Sequence, residues 1–355
     1  MRIVVAEMLY PEGHIELNKK YIQILTEIGE VTVVDDGKYF TSMNLDNVTI
    51  INVSRTVPSV SKFVKVKKWI PFLRFDPIDF IAHFINLIRI VFKLRKVEYD
   101  RIVFFSARND ALGFALPFFK KDSVYVFHHV DLDQIMARPR YIKSFKKYMN
   151  RYHHIVLADF IKEGLLDEFE IDENRIKVIY QPLINKESLS NQERLPIVIG
   201  LGRGIDKGML ASLIEYDKSH KEPLPYKIIL RDSKVDYKGN NLTVDSEYYD
   251  RNKYDYYLDN ASLCVIFYSV SFNLRYSGVA DDALSHGLPV VGNDIRVIRY
   301  FAEKYDGCCS ILSNITEIFK LKDIHFSTCQ EQFELFRENH SDIQIKSMIK
   351  EAFEC

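Results

Sequence analysis

The chain has 355 residues, 47% hydrophobic and 27% charged, with a formal net charge of −1. It is long enough for two domains, too apolar for disorder, and too evenly charged to argue for nucleic-acid binding. Its cysteines, Cys264, Cys308, Cys309, Cys329 and Cys355, make neither a CxxC nor a Cys/His zinc spacing, and read as thiols in a reducing cytosol.

The first residues, MRIVVAEMLY, carry Glu7 inside the apolar run and Pro11-Glu12 just after it, which suits a strand and not a secretory signal. HIELNKKYIQILTEIG then reads as a helix with Gly29 as its stop, and EVTVVDD as a strand. The segment 78–94 contains Asp79, His83, Arg89 and Lys93, with Ile81, Phe84, Ile85, Ile88, Val91 and Phe92 at helical spacing. That is an amphipathic helix covering a sheet, not a membrane span. DRIVFFSA, DALGFALPFF, SVYVFHHV, HHIVLA, DFIKEGLLDEF and RIKVIYQP continue the alternation of short β-branched strands and helices. Such alternation predicts a parallel sheet covered on both faces.

The stretch 182–196, bounded by prolines and without periodicity, reads as an interdomain linker. The pattern then restarts: IVIGLG, GMLASLIEYD, YKIILRD, YDYYLDN, SLCVIFYS, a short helix before LPVVG, DIRVIRYFAEKY, and the terminal SDIQIKSMIKEAFE. The expected fold is α/β, with two Rossmann-like domains in tandem. Residues 1–185 form the first, 186–340 the second, and 341–355 a terminal helix packing back on the first.

Ligands of open parallel sheets bind beyond the carboxyl ends of the strands. In the second half, GLGRGIDKG (200–208) offers glycines, Gly202 among them, for close backbone approach, and the cations Arg203 and Lys207. The next helix start adds free amides, so the loop suits a diphosphate. RYSGVADDALSHGLPVVGND (275–294) opens a second helix at Ser277, Gly278 and Val279. Asp281 and Asp282 follow in its first turns; neighbours on a helix diverge by about 100°, so one of them faces the ligand. A carboxylate there suits hydroxyls such as a ribose diol, since it would repel phosphate. A third loop near 244–249 could seat a base on Tyr248 or Tyr249.

In the first half, YPEGHIE (10–16) places Gly13 and His14 at a helix start, and VFHHVDLD (126–133) sets His128 and His129 at a strand end. These histidines are candidates for the catalytic or acceptor-contacting groups, with Gly13 and His14 on the acceptor side. KFVKVKKWIPFLRF (62–75) has five cations, no acid and interleaved aromatics, a composition suited to anionic headgroups; RPRYIKSFKKYMNR (138–151) is a second basic stretch.

The succession IVIGLGRGIDKG, YDYYLDNASLCVIFYS, SGVADDALSHGLPVVGND and CCSIL resembles, in order, the nucleotide-sugar domain of GT-B-fold glycosyltransferases of the family 4 (group 1) type. HHIVLADFIKEGLLDEFEIDENRIKVIYQPL resembles the strands and helix that lead into that family's linker. The resemblance implies a donor cleft between the two domains and sugar transfer from a UDP- or GDP-sugar. The acceptor would be a glycan or lipid-linked saccharide in bacterial surface polysaccharide synthesis, lipopolysaccharide or capsule. A retaining, metal-independent, hexosyltransferase-type reaction is implied, with no cofactor and no metal. The implied location is cytoplasmic, peripheral on the inner face of the inner membrane through 62–75.

Carried over by position, Arg203 and Lys207 match the pair that holds the donor diphosphate, and Asp282 the second acid of the EX7E motif, at the ribose. Leu274 stands where the family has the first acid; Asn273 and Arg275 are the nearest polar substitutes. Three alternatives remain open at this point. Asp131-Leu132-Asp133 is a DxD, the metal-binding pattern of single-domain GT-A transferases. The scaffold also suits a sugar-nucleotide 2-epimerase, and the missing first acid suits a silent glycan-binding protein.

Overall fold

Strands rich in Val, Ile and Phe, buried along most of their length, belong to parallel sheets covered on both faces. The computed structural model describes residues 1–9, 14–56, 75–129, 131–184, 194–202, 204–321 and 329–354. They build two such sheets in two units, Met1–Ile184 with Asp342–Cys355, and Asn185–Ser341.

The first unit's sheet has the order β3-β2-β1-β4-β5-β6-β7. Its strands are β1 (Arg2–Glu7), β2 (Glu30–Asp35), β3 (Val48–Asn52), β4 (Arg101–Ser106), β5 (Val124–His128), β6 (His153–Val156) and β7 (Ile176–Val178), each parallel to its neighbour. The strand order reverses between β1 and β4. A register shift at Ala6/Glu7 sets Glu7 opposite Ser106 at the carboxyl end of that seam. Helices Phe75–Leu94, Asn109–Ala115 and Pro139–Tyr148 pack side by side. The terminal helix Asp342–Glu354 packs on Ile15–Thr26 and β7, with Lys20 2.9 Å from Asp342 and Lys346 2.8 Å from Glu27.

The second unit repeats the plan with the order β10-β11-β9-β8-β12-β13-β14. The strands are β8 (Leu195–Gly200), β9 (Lys227–Arg231), β10 (Tyr237–Lys238), β11 (Leu242–Asp245), β12 (Ala261–Ile266), β13 (Val290–Gly292) and β14 (Cys309–Ile311). All pair in parallel except the β10–β11 hairpin. The order reverses between β8 and β12, and the apolar side chains of both, Val198, Leu263 and Val265, lie in one buried core. Two units of this kind leave the single-domain GT-A reading without support: the chain spends its second half on a complete second sheet.

A side-chain amide fixes the backbone beyond β12. Asn293 is buried after β13; its Oδ1 accepts from the Tyr268 N–H at 3.1 Å and its Nδ2 donates to the Tyr268 carbonyl at 3.0 Å. Asn293→Ala strips both partners from a buried peptide group. It should cost about 2–3 kcal/mol, seen as a lower urea midpoint with an unchanged m-value; an unmoved midpoint would show that the clamp contributes nothing.

Candidate functional site

Two loops leave the strands that flank the reversal in the second sheet: 201–206 after β8, and 267–277 after β12. The backbone ties them together, since the Asp206 N–H donates to the Phe267 carbonyl at 3.1 Å and Ile205 bridges Tyr268. Arg231, at the end of β9, donates to the Leu201 carbonyl at 3.1 Å.

The second loop runs into the helix Gly278–Ser285. Ser277 caps it: the Ser277 Oγ accepts from the Ala280 N–H at 3.2 Å and lies 3.2 Å from the Tyr268 hydroxyl. The amides of Gly278 and Val279 have no hydrogen-bond partner among the described residues. A Cβ built on Gly278 would meet nothing within 4 Å, so the helix start opens on free space. Two unpaired amides at the positive end of a helix dipole present the chemistry that an anion needs. At the far end Gly287, at φ +66°, closes the helix. Its N–H donates to Leu284 at 3.1 Å and that of Leu288 to Ala283 at 2.9 Å, the paired bonds of a left-handed glycine stop.

The two aspartates divide. Asp281 is 2% exposed; it accepts from the Tyr276 hydroxyl and lies 3.4 Å from His340 Nδ1, fastening the helix to Gln330–Asn339. Asp282 is only partly buried, and its Oδ2 accepts from the Tyr254 hydroxyl at 2.9 Å. Burial raises the Asp282 pKa against the pull of that hydrogen bond and of the Arg251 charge. Its Oδ1 has no hydrogen-bond partner among the described residues, leaving an acceptor beside the open amides.

The first loop departs from expectation. Asp206 caps the helix Lys207–Ser219, accepting from the amides of Gly208 at 2.9 Å and Met209 at 3.2 Å. A carboxylate therefore occupies the donors that the diphosphate was expected to use. Lys207 is exposed at the first helical position, and Gly202 backs onto the Tyr268 side chain. Arg203 lies outside the described residues. The Arg275 guanidinium sits 5.0 Å from the Phe272 ring centre, and Leu274 is buried. Tyr249 is packed between Arg231 at 4.2 Å and Lys253 at 4.1 Å, whereas Tyr248 is exposed.

In the first unit the carboxyl ends of β1, β4 and β5 gather a second polar group. Glu7 is buried and accepts from the Leu9 N–H at 2.7 Å, the Asn18 amide at 3.3 Å and the Ser106 hydroxyl, pinning the start of the following loop. Gly13, in that loop, lies outside the described residues, as do 62–74 of the basic-aromatic stretch. His14 stands at the cap of Ile15–Thr26 without a side-chain cap hydrogen bond, its ring centre 4.8 Å from that of His129.

His128 and His129, adjacent in sequence, differ in every respect that matters. His128 is buried with both ring nitrogens engaged: Nδ1 lies 2.7 Å from Asp131 Oδ2, and Nε2 lies 2.8 Å from His154 Nδ1. His154 Nε2 lies 2.8 Å from the Met149 carbonyl. The carbonyl can only accept, so His154 donates through Nε2, and as a neutral ring accepts from His128 through Nδ1. The short contact of His128 Nδ1 with Asp131 Oδ2 closes the chain at its other end. Burial works to raise the Asp131 pKa, but His128 and the Asn109 amide at 2.7 Å outweigh it and hold it low. Burial, then the His128 charge, drives His154 well below an ordinary histidine. His128 thus positions its neighbours and has no nitrogen left for a substrate. Asp131 is committed to the same chain, and no group of three or more His, Cys, Asp or Glu side chains gathers as a metal site among the described residues.

His129 is 8% exposed, stacked on Phe127, and its Nε2 has no hydrogen-bond partner among the described residues. A buried polar atom left unpaired costs about 1–3 kcal/mol and marks where a ligand or water completes the structure. Burial, then the His14 charge, pushes the His129 pKa down to about 3, so the ring is neutral across the physiological range. Tyr254, Asn293, Asn109 and His154 were not singled out from the sequence, because their partners lie 22–43 residues away or on another strand.

No family model matches the chain, and no curated protein matches it in sequence. Solved structures match its whole length. HepE of Anabaena in complex with UDP-glucose does so with a TM-score of 0.67 at 12% identity, over 100% of this chain and 99% of that one. Sucrose-phosphate synthase from Thermosynechococcus elongatus gives 0.63 at 13%, over 100% and 98%. A glycosyltransferase from Rickettsia africae gives 0.62 at 13%, over 99% and 97%. At such identities the likeness establishes the fold, which is of the GT-B type, two Rossmann-like units in one chain. Among the described residues no helix is long and apolar enough to cross a membrane.

The histidines set an expectation for pH. His129, His153, at about 4, and His154 are all held below the ordinary value of 6.5, so the unfolded chain binds protons that the folded chain refuses. Their stabilising contribution is complete above pH 6.5 and is lost as the pH falls toward 4. The urea midpoint should therefore drop through that window, and His153→Gln should flatten the drop; a midpoint constant from pH 7 to 4.5 would contradict the assignment.

Proposed function

We propose that the chain is a nucleotide-sugar-dependent glycosyltransferase. On this reading it moves a hexose from a UDP- or GDP-sugar to a saccharide or lipid-linked saccharide of the kind used to build a bacterial surface polysaccharide. The observation that carries the reading is the pairing, on one helix, of two open amides at Gly278 and Val279 with the partly buried, Tyr254-bonded carboxylate of Asp282 one turn later. A nucleoside diphosphate needs both chemistries, N–H donors for its phosphates and an acceptor for its ribose diol. The carboxyl end of β12, beside the reversal of strand order, is where an open parallel sheet receives such a ligand. HepE, which shares the fold, was solved with UDP-glucose bound.

On this reading the diphosphate rests on the Gly278 and Val279 amides, with Lys207 and Arg203 supplying positive charge and Gly202 close backbone approach. Asp282 accepts from the ribose, oriented by Tyr254. Ser277 keeps the helix start in shape through its cap. As the sugar departs, negative charge grows on the diphosphate, and fixed dipoles and cations stabilise it without reorganising. The neutral His129, with an open nitrogen beside His14, is suited to orient the acceptor hydroxyl or contact the transferred sugar; His128 acts behind it through the Asp131 and His154 chain. A metal-independent, retaining course follows the family resemblance. Leu274 leaves the sugar end of the donor to Asn273 or Arg275.

The test is thermal stability in a panel of UDP-, GDP- and other nucleotide sugars. A donor at about 100 times its dissociation constant adds about 2.7 kcal/mol, raising the melting temperature by about 5–10 °C. Asp282→Ala should abolish most of that shift. No shift with any member of the panel would overturn the reading. A shift without transfer or donor hydrolysis would reduce it to a silent binder.

A further inference from the structure

The helix Gly278–Ser285 is firmly seated, and the helix Arg251–Asn260 beside it is not. The first buries Ala280, Asp281, Ala283, Leu284 and Ser285. The second packs on β8 and β12 but buries only Leu258 among its ten residues. The apolar grip of one side chain leaves its position to polar contacts. Yet this helix carries Tyr254, whose hydroxyl has to stay near its 2.9 Å from Asp282 Oδ2 for that hydrogen bond to persist.

Two ties at the far ends of the helices supply what packing does not. His286 Nδ1, just past the first helix, lies 2.6 Å from Asp259 Oδ1 on the second. From Tyr254–Asp282 to Asp259–His286 the contacts advance five residues along one helix and four along the other. The helices therefore run side by side in one direction, with the second contact about 6–7.5 Å beyond the first. The other tie is Arg194, directly before β8. Its Nη1 donates to the Leu258 carbonyl at 2.9 Å and the Ala261 carbonyl at 2.8 Å, and its Nη2 to the His286 carbonyl at 2.6 Å. Carbonyls at helix ends lack partners within the helix and carry the negative end of the dipole. One half-buried guanidinium, a rigid planar fork, thus joins the ends of both helices. The Asp259 charge acts on it as well, against the effect of burial.

We infer that Arg194 is a positioning residue for the donor site. It sets the spacing of the two helices from their far ends, and with it the Tyr254–Asp282 contact that presents the carboxylate to a ribose. Asp259 and His286 supply a smaller share of the same brace. The consequence at the ribose rests on the transferase reading; the brace itself does not.

Donor affinity is read by calorimetry on the full chain, with the nucleotide sugar that stabilises it most. Tyr254→Phe should weaken binding about tenfold, the worth of one hydrogen bond to a carboxylate. Arg194→Gln should weaken it by about the same factor, and Arg194→Lys, which lacks the fork, by about threefold. Asp259→Ala should also cost about threefold; Asp259 is 42% exposed, so this variant keeps the test open if Arg194→Gln fails to fold. Arg194→Gln with Tyr254→Phe should bind within about twofold of Tyr254→Phe alone, because both remove the same contact. Losses that multiply to about 100-fold would overturn the inference. In transfer assays the donor KM should rise at constant kcat, as for a contact made equally in ground and transition states. A lower kcat at unchanged KM would make Arg194 a stabiliser of the fold only, and would equally overturn it. Crystal structures of the Arg194→Gln and Asp259→Ala chains need no donor. A Tyr254 hydroxyl beyond about 3.5 Å from Asp282 supports the brace even if no nucleotide sugar binds the unaltered chain, a result that overturns the transferase reading alone. A contact still at 2.9 Å in both variants would overturn the brace.

Discussion

A helix starts with four amides that its own turns cannot satisfy, and the second unit is organised around leaving two of them open. The Ser277 hydroxyl takes that of Ala280, and the first bond within the helix runs from the Asp281 N–H to the Ser277 carbonyl at 3.0 Å. Gly278 and Val279 keep theirs. Around them Asn293 fixes Tyr268, Tyr268 contacts Ser277, and Asp281 fastens the helix to its neighbour. The neighbouring helix behaves in the opposite way, since Asp206 fills its start with a carboxylate. Of two helix starts at one sheet end, one is closed by its own cap and the other is held open. That contrast is the ground on which the proposed diphosphate site is placed at Gly278 and not at Lys207.

The first unit shows the same division between groups spent on structure and groups left available. A buried chain runs from Asn109 through Asp131 and His128 to His154 and the Met149 carbonyl, every nitrogen in it engaged. Only Asp131 Oδ1 in it has no hydrogen-bond partner among the described residues, and the remaining bonds fix the geometry around it. Beside it His129 keeps an Nε2 without a hydrogen-bond partner among the described residues. The arrangement reads as a rigid support carrying one neutral imidazole.

The strands with dense Val and Ile were legible in the sequence, as were the helix at 278 and its stop at Gly287, because local chemistry decides them. The place of Asp282 on that helix followed from its register to Gly287 and Pro289; its role at a ribose stays a proposal. The Lys207 helix start was misread for a local reason: an aspartate directly before a helix is itself a capping signal, and it takes the amides that a diphosphate would need. His128 and His129 could not be separated, since neighbouring strand residues point to opposite faces and only the packing decides which face is filled. Strand β3 escaped notice because it is a half-exposed edge without clean alternation. Tyr254 and Asn293 reach partners 28 and 25 residues away, which no local pattern announces.

The central claim is that the open helix start at Gly278 and the carboxylate of Asp282 hold one nucleoside diphosphate together. The most direct test is a crystal structure of the full chain grown with the nucleotide that stabilises it most. The account requires phosphate oxygens at about 3 Å from the Gly278 and Val279 amides and a ribose hydroxyl donating to Asp282. A nucleotide seated elsewhere, or one whose ribose leaves Asp282 bonded only to Tyr254, would contradict it.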